Sequence, residues 1–64
     1  MIRDLDIYRT ANLLIEQHGS EAVPDAERLL GLMLDRGDME DLQVWLRVRD
    51  TIMQLQAAQT SPAH

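Results

Sequence analysis

Apolar residues recur every three or four positions along most of this chain, which is the spacing of one face of an α-helix. Glycine and proline are few and stand between the periodic stretches. The pattern predicts helices over about 4–18, 21–36 and 39–57, followed by a frayed tail over 58–64. We therefore expect an all-α protein in which residues 1–64 form a single small three-helix domain with the order helix-turn-helix-turn-helix.

Residues with specific roles at helix ends mark most of these boundaries. Asp4 is placed to cap the first helix, and Gly19 is placed to end it in a left-handed conformation. Gly37 and Asp38 give the sharpest signal, because a glycine that closes one helix is followed at once by an aspartate that can cap the next.

The start of the second helix is ambiguous from sequence. Ser20 is a good capping residue, whereas Pro24 restricts Val23 and is favoured as the first residue of a helix. Gly31 lies inside this helix, where it costs about 1 kcal/mol relative to alanine. Close approach of another helix is the expected compensation, and the alternative is a tolerated weak point.

The predicted helices carry apolar faces of different width. The face of the first helix comprises Ile7, Tyr8, Ala11, Leu14, Ile15 and His18. The face of the second comprises Val23, Ala26, Leu29, Leu30, Met33 and Leu34. Leu5 and Leu13 lie off the first face and are expected to be exposed or covered by a second partner.

The third helix has two adjacent apolar stripes, which together span an arc of about 200° where about 100° suffices for packing on one side. One stripe comprises Val44, Trp45, Val48, Ile52 and Leu55, and the other comprises Leu42, Leu46 and Met53. We expect Trp45 to belong to the core more readily than to a binding site. Arg49 lies between the stripes, and arginine among apolar neighbours is typical of an interface. The possible interface is therefore Leu42, Trp45, Leu46, Arg49 and Met53.

Composition limits which interactions can stabilise so small a core and which partners the chain can have. The chain has 64 residues and no cysteine, so disulfides are excluded. A formal charge of −5, from 11 acidic and six basic residues, makes nucleic acid an unfavoured partner. No apolar run is long enough to span a membrane and no signal peptide is evident, so we expect a cytoplasmic protein without membrane contact.

Candidate chemistry is sparse. The chain offers no lysine, few hydroxyls and two histidines, so we expect no enzyme, no catalytic residue and no cofactor. His18 lies at a helix end, where it is better explained as a structural cap than as a base. The acidic cluster Asp35, Asp38, Glu40 and Asp41 lacks the ligand spacing of a calcium loop, and we expect no metal site.

Several short motifs resemble a family of very short proteobacterial proteins known only as a domain of unknown function. They are Ala11-Asn12-Leu13-Leu14-Ile15, Gln17-His18-Gly19, Met33-Leu34-Asp35-Arg36-Gly37-Asp38, Val44-Trp45-Leu46-Arg47, Ile52 and Leu55-Gln56. Members often carry glycine where Asp41 or Leu42 stands here, which leaves the position of the turn open. The resemblance implies no activity, substrate or catalytic residue.

The sequence thus favours a small protein-interaction module whose partner is a second copy of itself, a homodimer formed through the third helix. Two alternatives stay open at this point. One is a helix-turn-helix regulator, for which the last helix lacks a basic face. The other is an acidic inhibitor of a nucleic-acid enzyme, for which the negative charges are too mixed with arginine.

Overall fold

A computed structural model describes residues 3–60, with side chains described up to residue 58. The helices are α1 (Asp4–His18), α2 (Ala22–Arg36) and α3 (Met39–Thr60). A 3-10 turn, Gly19–Glu21, joins α1 directly to α2, so helical residues run without interruption over 4–36 and again over 39–60. Within residues 3–60 there is no strand, and the prediction of an all-α protein is confirmed.

The first helix begins one residue earlier than a cap at Asp4 would require. Arg3, in an extended conformation, is the N-cap, and its carbonyl accepts hydrogen bonds from the backbone N–H groups of Asp6 and Ile7. At the other end Gly19 has the predicted positive φ of 54°, but its ψ of −122° departs from the left-handed helical value. The chain therefore continues into the 3-10 turn.

The second helix begins at Ala22 with Glu21 as its N-cap, so Ser20 is not the capping residue and Pro24 is not the first helical residue. Pro24 is the third residue of α2, still within the first turn. Its missing N–H is tolerated there, because the first amide groups of a helix have no partner within the helix.

The turn between α2 and α3 confirms the sequence prediction. Gly37 is left-handed, with φ 71° and ψ 23°. Its N–H donates to Leu34 O at 3.1 Å, and the N–H of Asp38 donates to Met33 O at 3.0 Å, which together form a Schellman motif. Asp38 Oδ1 then accepts the N–H of Asp41 at 3.2 Å and caps α3.

The third helix extends to Thr60, so the predicted end at residue 57 is wrong and residues 58–60 are helical. Ala58 and Gln59 are of types that favour helix, and no glycine or proline interrupts the stretch. The rest of the predicted tail, 61–64, lies outside the described residues.

The core forms where α3 packs against both α1 and α2, as its wide apolar arc predicts. Ile52 and Val48 are its largest fully buried side chains. Three alanines, Ala11, Ala22 and Ala26, are fully buried as well. The other buried residues are Ile7, Leu14 and Leu30. Small side chains let helix backbones approach closely, so much of this core is helix contact rather than bulky side-chain filling.

The edges of the predicted faces remain accessible to solvent. Tyr8, His18 and Leu34 lie on the faces predicted from periodicity but are exposed. Leu5 and Leu13 lie off the first face, and the sequence left open whether they are exposed or covered by a partner. In this structure both are exposed.

Gly31 is exposed, and a Cβ built on it would meet no atom within 4 Å. The expected close approach of a second helix is therefore wrong. Gly31 is the tolerated weak point in α2.

Candidate interaction surface

One flank of α3, beside the face that packs on the core, carries exposed apolar side chains. Leu46 is 36% and Met53 is 50% exposed, and Leu42 is partly buried. With Arg49 they form a set spaced by four, three and four residues, which places them along one side of the helix. We call Leu42, Leu46, Arg49 and Met53 the outer stripe.

Trp45 lies between the outer stripe and the buried residues of α3. It packs against the core cluster, yet part of its side chain remains accessible. The prediction that Trp45 belongs to the core is therefore confirmed only in part. Helical spacing places Trp45 next to Leu42 and Arg49 of the outer stripe.

Arg49 is held in place by its neighbour in sequence. Its Nη2 donates to Asp50 Oδ1 at 3.0 Å and its Nε to the same oxygen at 3.3 Å, and the arginine side chain is 29% exposed. A surface ion pair of this kind contributes at most about 1 kcal/mol to folding. The pair therefore does little for the fold but directs the guanidinium toward Asp50.

A shallow groove of about 330 Å³ lies between α1 and α3. It is lined by Asp4, Ile7, Tyr8, Arg47, Thr51, Gln54 and Leu55. Arg47 forms an ion pair with Asp4 in the groove wall. None of the five predicted interface residues lines it, and helical geometry places the outer stripe on the opposite side of α3. The groove was not predicted from the sequence, because no local pattern links residues so far apart in the chain.

The corner between α1 and α2 brings the His18 side chain to an acidic residue. His18 Nε2 lies 3.4 Å from Asp25 Oδ2, and Arg28 pairs with the other oxygen of Asp25. The Asp25 side chain is 14% exposed. His18 therefore contacts an acidic side chain of α2, whereas the sequence predicted contact with the end of its own helix.

The acidic residues at the start of α3 lie in its cap and first turn. Asp38 caps it, and the negative charge of Asp38 raises the pKa of the Asp41 carboxyl above 3.8, with smaller contributions from desolvation and Glu40. Across residues 3–60, no group of three or more histidine or acidic side chains is arranged to hold a metal ion. No helix in this part of the chain is long and apolar enough to cross a membrane.

Comparisons with models of protein families, with curated proteins and with solved structures find no match to this chain.

Proposed function

We propose that this chain is a small helical protein-interaction module that self-associates as a homodimer through α3. The observation that carries the proposal is the outer stripe, whose Leu46 and Met53 stay exposed although α3 already packs against both other helices. Burial of such side chains on association stabilises a complex by about 25 cal/mol per Å² of apolar surface removed from water.

The size of the core supports the same proposal. Much of the buried set is alanine, and a chain of 64 residues without disulfides has little other source of stability. A second copy that covers the outer stripe would add apolar burial that the monomer lacks. Trp45, partly accessible at the edge of the stripe, would complete this interface.

Charge favours a protein partner over nucleic acid. Both arginines in the middle of α3 face carboxylates, Arg47 that of Asp4 and Arg49 that of Asp50. A helix that reads DNA needs such cations to contact phosphates. The acidic-inhibitor hypothesis gains no support either, because these ion pairs interrupt the negative surface. The resemblance to the proteobacterial family stays a prediction and adds no activity.

Sedimentation velocity from about 1 to 500 µM would test the proposal, since weak specific contacts have Kd values in this range. We expect a reversible monomer–dimer equilibrium. Leu46→Glu and Met53→Glu should each shift it toward monomer, because each buries a charge in the interface.

Leu13→Glu is the matched control, since Leu13 is 52% exposed on α1 and lies outside the proposed interface. It should leave the equilibrium unchanged. A wild-type chain that is monomeric over the whole range, or a dimer that both α3 variants leave intact, would overturn the proposal.

A further inference from the structure

Two exposed leucines lie on opposite sides of α2. Leu32 is 44% and Leu34 is 61% exposed, and two residues turn an α-helix by about 200°. Leu32 follows Asp25 by seven positions, which places both on the same side of the helix. Asp25 contacts His18 of α1, so Leu32 lies on the flank of α2 that borders α1.

Leu34 lies on the other flank of α2, the one toward α3. It follows Leu30 by four positions and Val23 by eleven, spacings that keep the three side chains on one side of the helix. Leu30 is buried, and Val23 packs against the core cluster. Because α2 contacts both other helices and its opposite flank borders α1, this side of α2 meets α3. The exposed Leu34 therefore lies at the outer edge of the contact between α2 and α3.

The outer stripe borders the same edge from the side of α3. The groove with α1 occupies the other side of α3, so the stripe lies on the flank away from α1. The turn at Gly37 and Asp38 is short, which makes α2 and α3 antiparallel neighbours. Leu34 precedes this turn by three residues and Leu42 follows it by four, so the two are about level along the helices. Met39 lies three positions before Leu42 and extends the stripe toward the turn. We call this surface the two-helix face, and its residues are Leu34, Met39, Leu42, Leu46, Arg49 and Met53.

The outer stripe alone is too small for a specific dimer. None of its four side chains is more than half exposed. A specific interface buries at least about 1,000 Å² in total, or about 500 Å² on each chain, and four such side chains present well under that area. Leu34 and Met39 are both more exposed than any residue of the stripe. Their addition roughly doubles the apolar surface that a partner can remove from water.

We propose that the dimer forms through the two-helix face, so that Leu34 of α2 is buried together with the outer stripe and α1 stays outside the contact. This inference rests on the proposed function, because it extends the interface proposed there from α3 to α2. In a closed dimer the same surface of each chain forms the contact, so both copies of Leu34 are covered. Leu32, on the opposite flank, remains exposed in the dimer.

Leu34→Glu and Leu32→Glu form a matched pair, because each places one carboxylate at an exposed position of the same helix. In sedimentation velocity, Leu34→Glu should weaken the dimer at least about ten-fold, since a charge buried in an interface is costly. Leu32→Glu should leave Kd within about two-fold of the wild type, as is usual for a surface substitution. Circular dichroism of the monomers should show that both variants are as helical as the wild type.

The same measurements separate this inference from the proposed function. An unchanged Kd in Leu34→Glu, with Leu46→Glu still weakening the dimer, would confine the interface to α3 and overturn this inference alone. Equal weakening by Leu34→Glu and Leu32→Glu would also overturn it, because the flank of α2 would then make no difference. A wild type that is monomeric throughout would overturn the proposed function, and this inference with it.

Alkylation of single cysteines provides an independent measurement without a charged variant, because the natural chain has no cysteine. In Leu34→Cys the rate of reaction with iodoacetamide should fall about five-fold or more between concentrations at which sedimentation shows monomer and dimer, because only the accessible thiol of the monomer reacts. Leu32→Cys should react at the same rate, within about two-fold, at both concentrations. Equal rates in Leu34→Cys with the dimer present would overturn the proposal.

Discussion

The side-chain amide of Gln56 donates a hydrogen bond to the backbone carbonyl of Gly19 at 2.7 Å. This bond joins the second half of α3 to the corner between α1 and α2. The same carbonyl accepts the N–H of Ala22 within the corner. Gln56 thus holds the backbone at Gly19, the residue at which the chain turns from α1 toward α2.

Replacing Gln56 with alanine should lower the free energy of unfolding by about 1 kcal/mol, the usual net value of one hydrogen bond. Urea denaturation followed by circular dichroism would measure it. Gln43→Ala is the matched control, because Gln43 is exposed on the same helix and should change stability by less than about 0.5 kcal/mol. Equal effects of the two substitutions would contradict a special role for Gln56.

Ile52→Ala should be the most damaging truncation on α3. Ile52 is fully buried, and removal of a buried isoleucine side chain beyond Cβ costs about 2–5 kcal/mol. A domain of this size has only about 3–5 kcal/mol of stability, so the variant should be largely unfolded by circular dichroism at 25 °C. Leu32→Ala, at an exposed apolar position of α2, should remain folded. A well-folded Ile52→Ala protein would show that the core lies elsewhere.

Gly31→Ala should raise the melting temperature. The position is helical, a methyl group added there would have no neighbour within 4 Å, and φ is not positive, so alanine gains about 1 kcal/mol. Gly37→Ala should do the opposite and cost about 1–2 kcal/mol, because φ is +71° at that residue. Opposite shifts in thermal unfolding are expected, and a loss of stability in Gly31→Ala would show that this glycine has a role.

The stability contributed by Asp41 should fall as the pH rises. Because the neighbouring Asp38 raises the pKa of Asp41 above 3.8 in the folded chain, this contribution is fully present below pH 3.8 and is lost as the pH rises through the raised pKa. NMR titration of the side-chain carboxyl carbons would measure that pKa. In Asp38→Asn, which keeps a capping oxygen without its charge, the pKa of Asp41 should return toward 3.8. An unchanged midpoint would contradict the assignment to Asp38.

Local signals in the sequence predicted the parts of the fold that local chemistry determines. The end of α2 depends on Gly37 and the start of α3 on Asp38, and both were correct because each residue acts on backbone within a few positions. The 3-10 turn was missed, and α2 begins at Ala22 instead of at a recognisable cap. That start depends partly on Gln56, which is 37 positions from Gly19 in the chain.

Periodicity predicted which helix faces point inward but not how much of each face is covered. Tyr8 and Leu34 lie on the correct faces and remain exposed, because helices that meet through alanine cover only a narrow strip. The same reason leaves Trp45 partly accessible, between core and surface. The outer stripe of α3 was visible in the sequence, whereas the groove beside Asp4 and Arg47 required the tertiary structure.

Core positions are usually most sensitive to substitutions that shorten the side chain, whereas the buried alanines of this protein are sensitive to substitutions that enlarge it. Ala11, Ala22 and Ala26 have no exposed surface, and there is no larger side chain at these positions to trim. Their substitution by a bulkier residue such as leucine would instead force the helices apart, an overpacking penalty of about 1–3 kcal/mol or more. The smallest side chains in this protein therefore set the distances between its helices, and growth at those positions is what the fold can least accommodate.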